Sequence, residues 1–279
     1  MTLCVFLEAK MEFNKSYTQY WESVVQKSVD GTVIAGLKEV DHFLFPLGLS
    51  NSDRVLDLGC STGRMCAALT RYSSAVYGAD PDSYAVGKAS AQPYQEVRQG
   101  TAEATGYPDG FFDFVFCWAV FDVVDHVDGL SEINRILKDG GRFLITCKAD
   151  NYDPADVLAL KAEKNALLKG FPNKFTNLAL LCRQLGTFGF ELTELVTFPR
   201  RGDMGLLNYT RPRVAESPIG EVIDAYEYLM VAKKISTPAS IQKDAGVPLD
   251  GRFSATAKTL AAHAGYASVK EYFESIGID

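Results

Sequence analysis

Asp57, Gly59, Gly63 and Asp80 are the residues whose types and spacing could do chemistry together. Asp57 sits in VLDLGCSTGR, residues 55–64, where an apolar run gives way to a turn bounded by Gly59 and Gly63. Glycine lets a backbone bend sharply and approach a ligand where a Cβ would intrude. The helix expected to follow, RMCAALTRY, would offer unpaired N–H groups to an anionic group. Asp80 closes a second apolar run, AVYGAD, one helix-length later, where a carboxylate can accept hydrogen bonds from a ribose diol. Two carboxylates, a glycine turn and a helix start in this order suit a nucleoside-bearing cofactor.

Such residues need strands that end side by side. Apolar runs that read as strands (RVLDL, AVYGAD, EVRQ, FFDFVFCWAV, RFLITCKA) alternate with helical patterns at short intervals. That alternation predicts α/β architecture: a doubly wound, mainly parallel, seven-stranded Rossmann-like sheet with helices on both faces. In such a sheet ligands lie beyond the carboxyl ends of the strands, where strand order reverses. Residues 14–45 read as helical, GLSEINRILKDGG as a helix closed by glycines, and ELTELVTF and YEYLMVAKKI as the last strands. SATAKTLAAHAG and SVKEYFESIGI read as C-terminal helices.

These segments resemble class I S-adenosylmethionine-dependent methyltransferases of the small-molecule type. VLDLGCSTGR is similar to the first motif of that family and VYGADPDS to its ribose-binding second motif. QGTAEATGYPDGFFDFVFCWAV resembles the segment that leads into the fourth strand, and EINRILKDGGRFLI the E-x-x-R-x-L-x-x-G-G segment. The resemblance implies S-adenosyl-L-methionine as cofactor, with S-adenosyl-L-homocysteine as product. It also implies that Asp57 reaches towards the methionine amine, that Gly59, Cys60 and Gly63 give close backbone approach, and that Asp80 holds the ribose hydroxyls. Pro81 would pack on the adenine, Ala102 and Glu103 would border it, and Cys117 would offer its carbonyl to the amine, with Trp118 beside it. Two positions depart from the family pattern: Ser61 replaces a middle glycine, and Thr101 replaces an aspartate that accepts from the adenine amino group.

The expected activity is methyl transfer to a small-molecule acceptor, oxygen favoured, driven mainly by alignment and exclusion of water. His126, after the fourth strand, is the candidate base, and an N-terminal helix carrying Tyr17, Tyr20 and Trp21 is the candidate lid over the cofactor. The expected layout is a methyltransferase domain over residues 1–235 and a C-terminal helical extension over 236–279. Within the domain lie the lid (12–45), the cofactor-binding core (50–150), an inserted helical segment (151–175) and the last strands (190–235). Two alternatives remain open: a non-catalytic cofactor-binding relative, and a nicotinamide-dependent dehydrogenase suggested by the Tyr-x-x-x-Lys spacing of Tyr266 and Lys270. The glycine turn lacks the spacing that a dehydrogenase needs.

Composition narrows the classes. The chain has 279 residues, 47% of them apolar and 23% charged, enough for a sizeable core. A net charge of −7 argues against a broad nucleic-acid surface. Six cysteines without a CxxC pair or clustered histidines argue against a metal site and for a reducing, cytoplasmic setting. No apolar run approaches membrane-spanning length, MTLCVFLEAK is too polar for a signal peptide, and a homodimer is the expected assembly state.

Overall fold

A computed structural model describes residues 37–170, 173–212, 224–238, 250–251 and 253–278. Seven strands form one sheet: β1 (Arg54–Leu58), β2 (Ala75–Asp80), β3 (Glu96–Gln99), β4 (Phe112–Cys117), β5 (Leu137–Lys148), β7 (Phe190–Phe198) and β8 (Glu227–Lys234). Their order is β3-β2-β1-β4-β5-β8-β7, and β6 (Phe175–Thr176) with β9 (Asp250–Gly251) makes a separate two-stranded ladder. The first five strands pair in parallel, while β8 runs antiparallel to both β5 and β7. Strand order therefore reverses between β1 and β4, with Asp57 directly opposite Phe116.

The described helices are α1 (Leu37–Leu44), α2 (Cys66–Leu69), α3 (Ser83–Ala89), α4 (His126–Ile136), α5 (Val157–Leu168), α6 (Leu178–Gln184), α7 (Asp203–Leu206), α8 (Ala255–His263) and α9 (Val269–Ile276). Strand side chains alternate between faces, so the sheet has two apolar sides. On one, Leu56, Val115, Phe143 and Met230 pack under Leu130 and Ile133 of α4 and Leu178 and Leu181 of α6. On the other, Val55, Phe114, Phe116, Leu144 and Leu229 pack under Val40, Phe43 and Leu44 of α1 and Ala68 and Leu69 of α2. A third core joins Tyr152, Leu160 and Phe175 to Ala257, Ala261 and Phe273, so the segment 151–175 and the C-terminal helices share one apolar interior. At its centre the buried Glu163 carboxylate accepts from Tyr152 Oη (2.6 Å), Ser254 N (2.8 Å) and Ser254 Oγ (2.9 Å).

Two expected elements are corrected. The helix after the glycine turn is a single turn, Cys66–Leu69, preceded by turns over 61–65. Thr70 Oγ1 bonds back to the Cys66 carbonyl (2.9 Å), which competes locally with helix propagation, and the Ser73 hydroxyl donates to Asp53 O (2.5 Å), 20 residues upstream, which draws the chain towards β1. The helix expected to close at the glycines ends earlier, at Ile136, and Leu137 already pairs with Phe112. Gly140 and Gly141 instead shape a bulge in β5: Gly140 has φ +76°, and a Cβ on Gly141 would lie 2.9 Å from Lys138 O. The last turn of α4 is held from a distance, because Lys234 Nζ donates to Asn134 O (2.8 Å) and Leu137 O (2.9 Å).

Candidate cofactor and acceptor site

The loop after β1 is fixed by backbone bonds to the end of β2. Gly59 N and Cys60 N both donate to Ala79 O (2.8 and 3.0 Å), and Gly63 N closes the turn on Cys60 O (2.9 Å). Gly59 and Gly63 have φ +76° and +87°, and a Cβ on Gly59 would lie 2.5 Å from Val120. Both glycines are thus required by conformation and by space. Ser61 also adopts a left-handed backbone, φ 48°, which is strained for a residue with a Cβ. Its departure from the family glycine therefore carries a conformational cost.

Asp57 is 3% exposed, and Tyr94 Oη donates to its Oδ2 at 2.6 Å. The other carboxylate oxygen has no hydrogen-bond partner among the described residues. Burial pushes the Asp57 carboxyl up to about 7, the Tyr94 bond opposes this, and the nearby Asp80 adds to it. A buried carboxylate with a free oxygen is what an ammonium group would satisfy. Asp80 lies beside it: Oδ2 accepts from Ser61 N (2.8 Å) and Oδ1 from Asp82 N (3.0 Å), leaving each oxygen able to accept once more. Burial raises the Asp80 carboxyl above its ordinary range, against the two N–H donors. The chain's own residues fit an amino-acid nucleoside: an unpaired anion for an amine and a second carboxylate for a diol. Tyr94 was not expected, and its position in the polar stretch SAQPYQEV gave no signal of this contact.

The segment before β4 is anchored by the E-x-x-R residues. Glu132 Oε1 accepts from Thr105 N (2.7 Å) and Thr105 Oγ1 (2.6 Å), while Arg135 bonds Glu132, Tyr107 O and Asp109. Burial alone would raise the Glu132 carboxyl, but the Arg135 and Thr105 bonds outweigh it and hold it below its usual range. Thr101 is exposed and bridges Ala104, Ala102 is buried, and Pro81 is exposed at the end of β2. Glu103 accepts from Asp125 N (2.8 Å), so one of its oxygens already holds the start of α4.

At the end of β4, Cys117 is fully buried, and Trp118 stacks on Phe116 with ring centroids 5.8 Å apart. Burial raises the Cys60 and Cys117 thiols, so both are apolar filling rather than nucleophiles. Ala119 then takes φ 56°, its N–H bonded to Thr146 Oγ1 (2.7 Å). Non-glycine residues in the left-handed region thus follow both strands that flank the switch point, the kind of strain that gathers at functional sites.

One expected residue, His126, does not open onto this site. His126 is fully buried, stacked on Phe121 (4.9 Å) and 3.1 Å from Phe121 O, so the candidate base has no open face for an acceptor. The reason is the helix start: Asp125 caps α4 through Asp128 N (3.0 Å), and His126, Leu130 and Ile133 then share one inward face. Tyr17 and Trp21, like Tyr20, lie outside the described residues. Tyr266 and Lys270 sit on the surface, with Lys270 paired to Glu274 (3.9 Å), which is the ordinary use of that spacing. A cavity of about 420 Å³ lies beside α1, lined by Lys38, Asp41, His42, Phe45, Arg71, Tyr72 and Leu207, away from the two carboxylates. Two loop arginines are already engaged: Arg201 N donates to Asp156 (2.7 Å) and its Nη1 to Tyr226 Oη (3.1 Å), and Arg211 pairs with Glu194 (3.0 Å).

Comparison with known proteins places this arrangement. Residues 56–145 match the methyltransferase domain family. An uncharacterized methyltransferase of Bacillus subtilis, YcgJ, is 36% identical over 110 residues, 37% of this chain and 42% of that protein. A demethylmenaquinone methyltransferase of Mycolicibacterium vanbaalenii is 33% identical over 129 residues, 45% of this chain and 54% of that protein. The chain thus spans about half the length of these curated relatives. In fold, it superposes on a Thermotoga maritima methyltransferase with a TM-score of 0.57 at 17% identity, over 79% of this chain and 99% of that one. With the strand order and the strand-end site around it, the chain carries a class I S-adenosylmethionine-dependent methyltransferase domain.

Proposed function

We propose that the protein transfers a methyl group from S-adenosylmethionine to a small-molecule acceptor, with oxygen favoured as the atom methylated. The observation that carries this reading is the pair Asp57 and Asp80 on one glycine turn at the switch point, the first with an unpaired buried oxygen. Asp57 would pair with the methionine ammonium and Asp80 with the ribose diol, while Gly59, Cys60 and Gly63 let the backbone close on the ligand. Pro81, Thr101, Ala102 and Glu103 would border the adenine, and Cys117 and Trp118 would face the amino-acid end. The bound sulfonium supplies an activated methyl group. What remains for the protein is to orient the acceptor, hold off water and receive any proton released. The relatives named as demethylmenaquinone methyltransferases support a small-molecule acceptor.

Titration calorimetry with S-adenosylhomocysteine and NAD tests the reading; binding of NAD alone would overturn it. Asp80→Ala should weaken S-adenosylhomocysteine binding by about 1–3 kcal/mol, because charge-assisted bonds are lost. Thr101→Asp should leave that affinity unchanged or tighten it, and a loss of more than about tenfold (~1.4 kcal/mol) would show that residue 101 does not border the adenine.

A further inference from the structure

The carboxyl edge of the sheet continues beyond the cofactor strands, and there it carries charge. Lys148 ends β5 and Glu227 begins β8, directly opposite each other in the antiparallel ladder, with Phe198 of β7 on the far side of Glu227. Alternation places both side chains on the face that carries Leu144 and Leu229, the same face as Trp118 and Phe43. Asp57 shares that face through Val55. Lys148 and Glu227 lie four and two residues, respectively, beyond Leu144 and before Leu229, so they project past the row that contains Asp57 towards the mouth.

The Lys148 ammonium is not free: it forms an ion pair with Asp122, on the turn after β4, and both side chains are largely buried. Glu227 is different. It is half-buried, and its carboxylate has no hydrogen-bond partner among the described residues. The charged groups that face it are Lys148 on β5, Asp122 after β4, Arg201 in the loop after β7, and Asp156 at the start of α5. Arg201 already donates to Tyr226 and, through its backbone, to Asp156. Two cations against three carboxylates leave one negative charge in excess, and the unsatisfied oxygens are those of Glu227. A half-buried carboxylate at the mouth, with no protein donor, keeps its accepting oxygens open to a donor on a ligand.

We propose that Glu227 is the acceptor-recognition residue of this site, and that the acceptor presents to it an O–H or N–H donor rather than an anion. This inference rests on the methyltransferase reading above. Lys148 and Asp122 act as positioning residues, fixing the β5 end against the turn after β4. As the acceptor X–H gains the methyl group from the sulfonium, whose sulfur keeps the bonding pair, its proton passes to the Glu227 carboxylate. The products are X–CH3, S-adenosylhomocysteine and a neutral carboxyl. Burial raises the Glu227 carboxyl above its ordinary range, against the pull of Lys148, which suits a group that must take up a proton.

The test uses the full chain saturated with S-adenosylhomocysteine, titrated with tyramine, 1,4-dihydroxynaphthalene and benzoate, comparing wild type with Glu227→Gln. The wild type should bind at least one of the two hydrogen donors more tightly than benzoate. That affinity should fall as pH is lowered through a midpoint above the usual glutamate range. Glu227→Gln should weaken the donor at least tenfold and flatten the pH dependence. It should leave S-adenosylhomocysteine affinity within twofold, which also certifies the fold. Donor binding unchanged in Glu227→Gln, tighter binding of benzoate, or no binding of either donor to the wild type would overturn the assignment. Failure of the wild type to bind S-adenosylhomocysteine would bring down the cofactor reading, and this one with it.

Discussion

The two halves of the sheet's functional edge are built on different principles. The β1–β4 half is a backbone device: Ala79 O holds two loop N–H groups, Asp80 holds two more, and glycines with positive φ let the turn close. The β5–β8 half is a side-chain device, in which Lys148, Asp122, Arg201 and Glu227 meet from strands and loops far apart in the chain. A backbone device recognises what every member of a family shares, because it tolerates few residue types. A side-chain device can change its specificity one residue at a time, and it contributes less to the cofactor's seat.

That contrast can be broken by removing Asp122. Asp122→Ala would remove the ion-pair partner of the Lys148 ammonium and leave it only Glu227, opposite in the ladder, and we expect about 1–3 kcal/mol of lost stability in urea denaturation. S-adenosylhomocysteine affinity of the folded fraction should hold, and a parallel loss would show that the halves are not independent. Asp57→Asn sharpens the comparison from the other side. The folded wild type keeps Asp57 protonated up to about 7, whereas the unfolded chain releases that proton near 3.8. More protons are bound in the folded state between those values, so this group makes stability fall as pH rises from about 4 to about 7. Asp57→Asn should remove that part of the slope, read as the difference in Tm between the two proteins from pH 5 to 8. Cofactor binding in the wild type should tighten as pH rises through about 7, because only the ionised carboxylate can pair with an ammonium. The variant should bind more weakly and without that dependence. The smallest effect belongs to Ser61→Gly: relief of its left-handed backbone should raise stability by about 0.5–1 kcal/mol in the same denaturation assay, with affinity preserved.

Legibility in the sequence followed the same division. β1, β2 and β4 were readable because each is an apolar run closed by a turn, and the shared turn of Asp57, Gly59, Gly63 and Asp80 because it joins the ends of two neighbouring strands. Tyr94 was not readable, since its hydroxyl meets Asp57 only after β2 and β3 fold alongside β1. Nor were Lys148 and Glu227, whose opposition depends on the register of two distant strands. His126 was misread for a related reason. Its place after β4 was right, but which way the ring turned depended on where the helix began, and Asp125 set that start. The one-turn α2 shows the reverse failure, in which a local hydroxyl bond from Thr70 and a distant one from Ser73 accompany the early end of a pattern that looked helical.

Lys234 has a consequence for how the chain acquires its structure. It completes the last turn of α4 from 100 residues downstream, donating to carbonyls that the helix cannot satisfy by itself. On a ribosome, the stretch carrying the glycine turn, Asp57 and Asp80 emerges long before that ammonium does. β8 must thread between β5 and β7 before α4 is closed, so contacts of high sequence separation complete the sheet and entropy delays them. A nascent chain arrested before residue 234 should therefore show a frayed end to α4, beside an otherwise formed β1–β4 half.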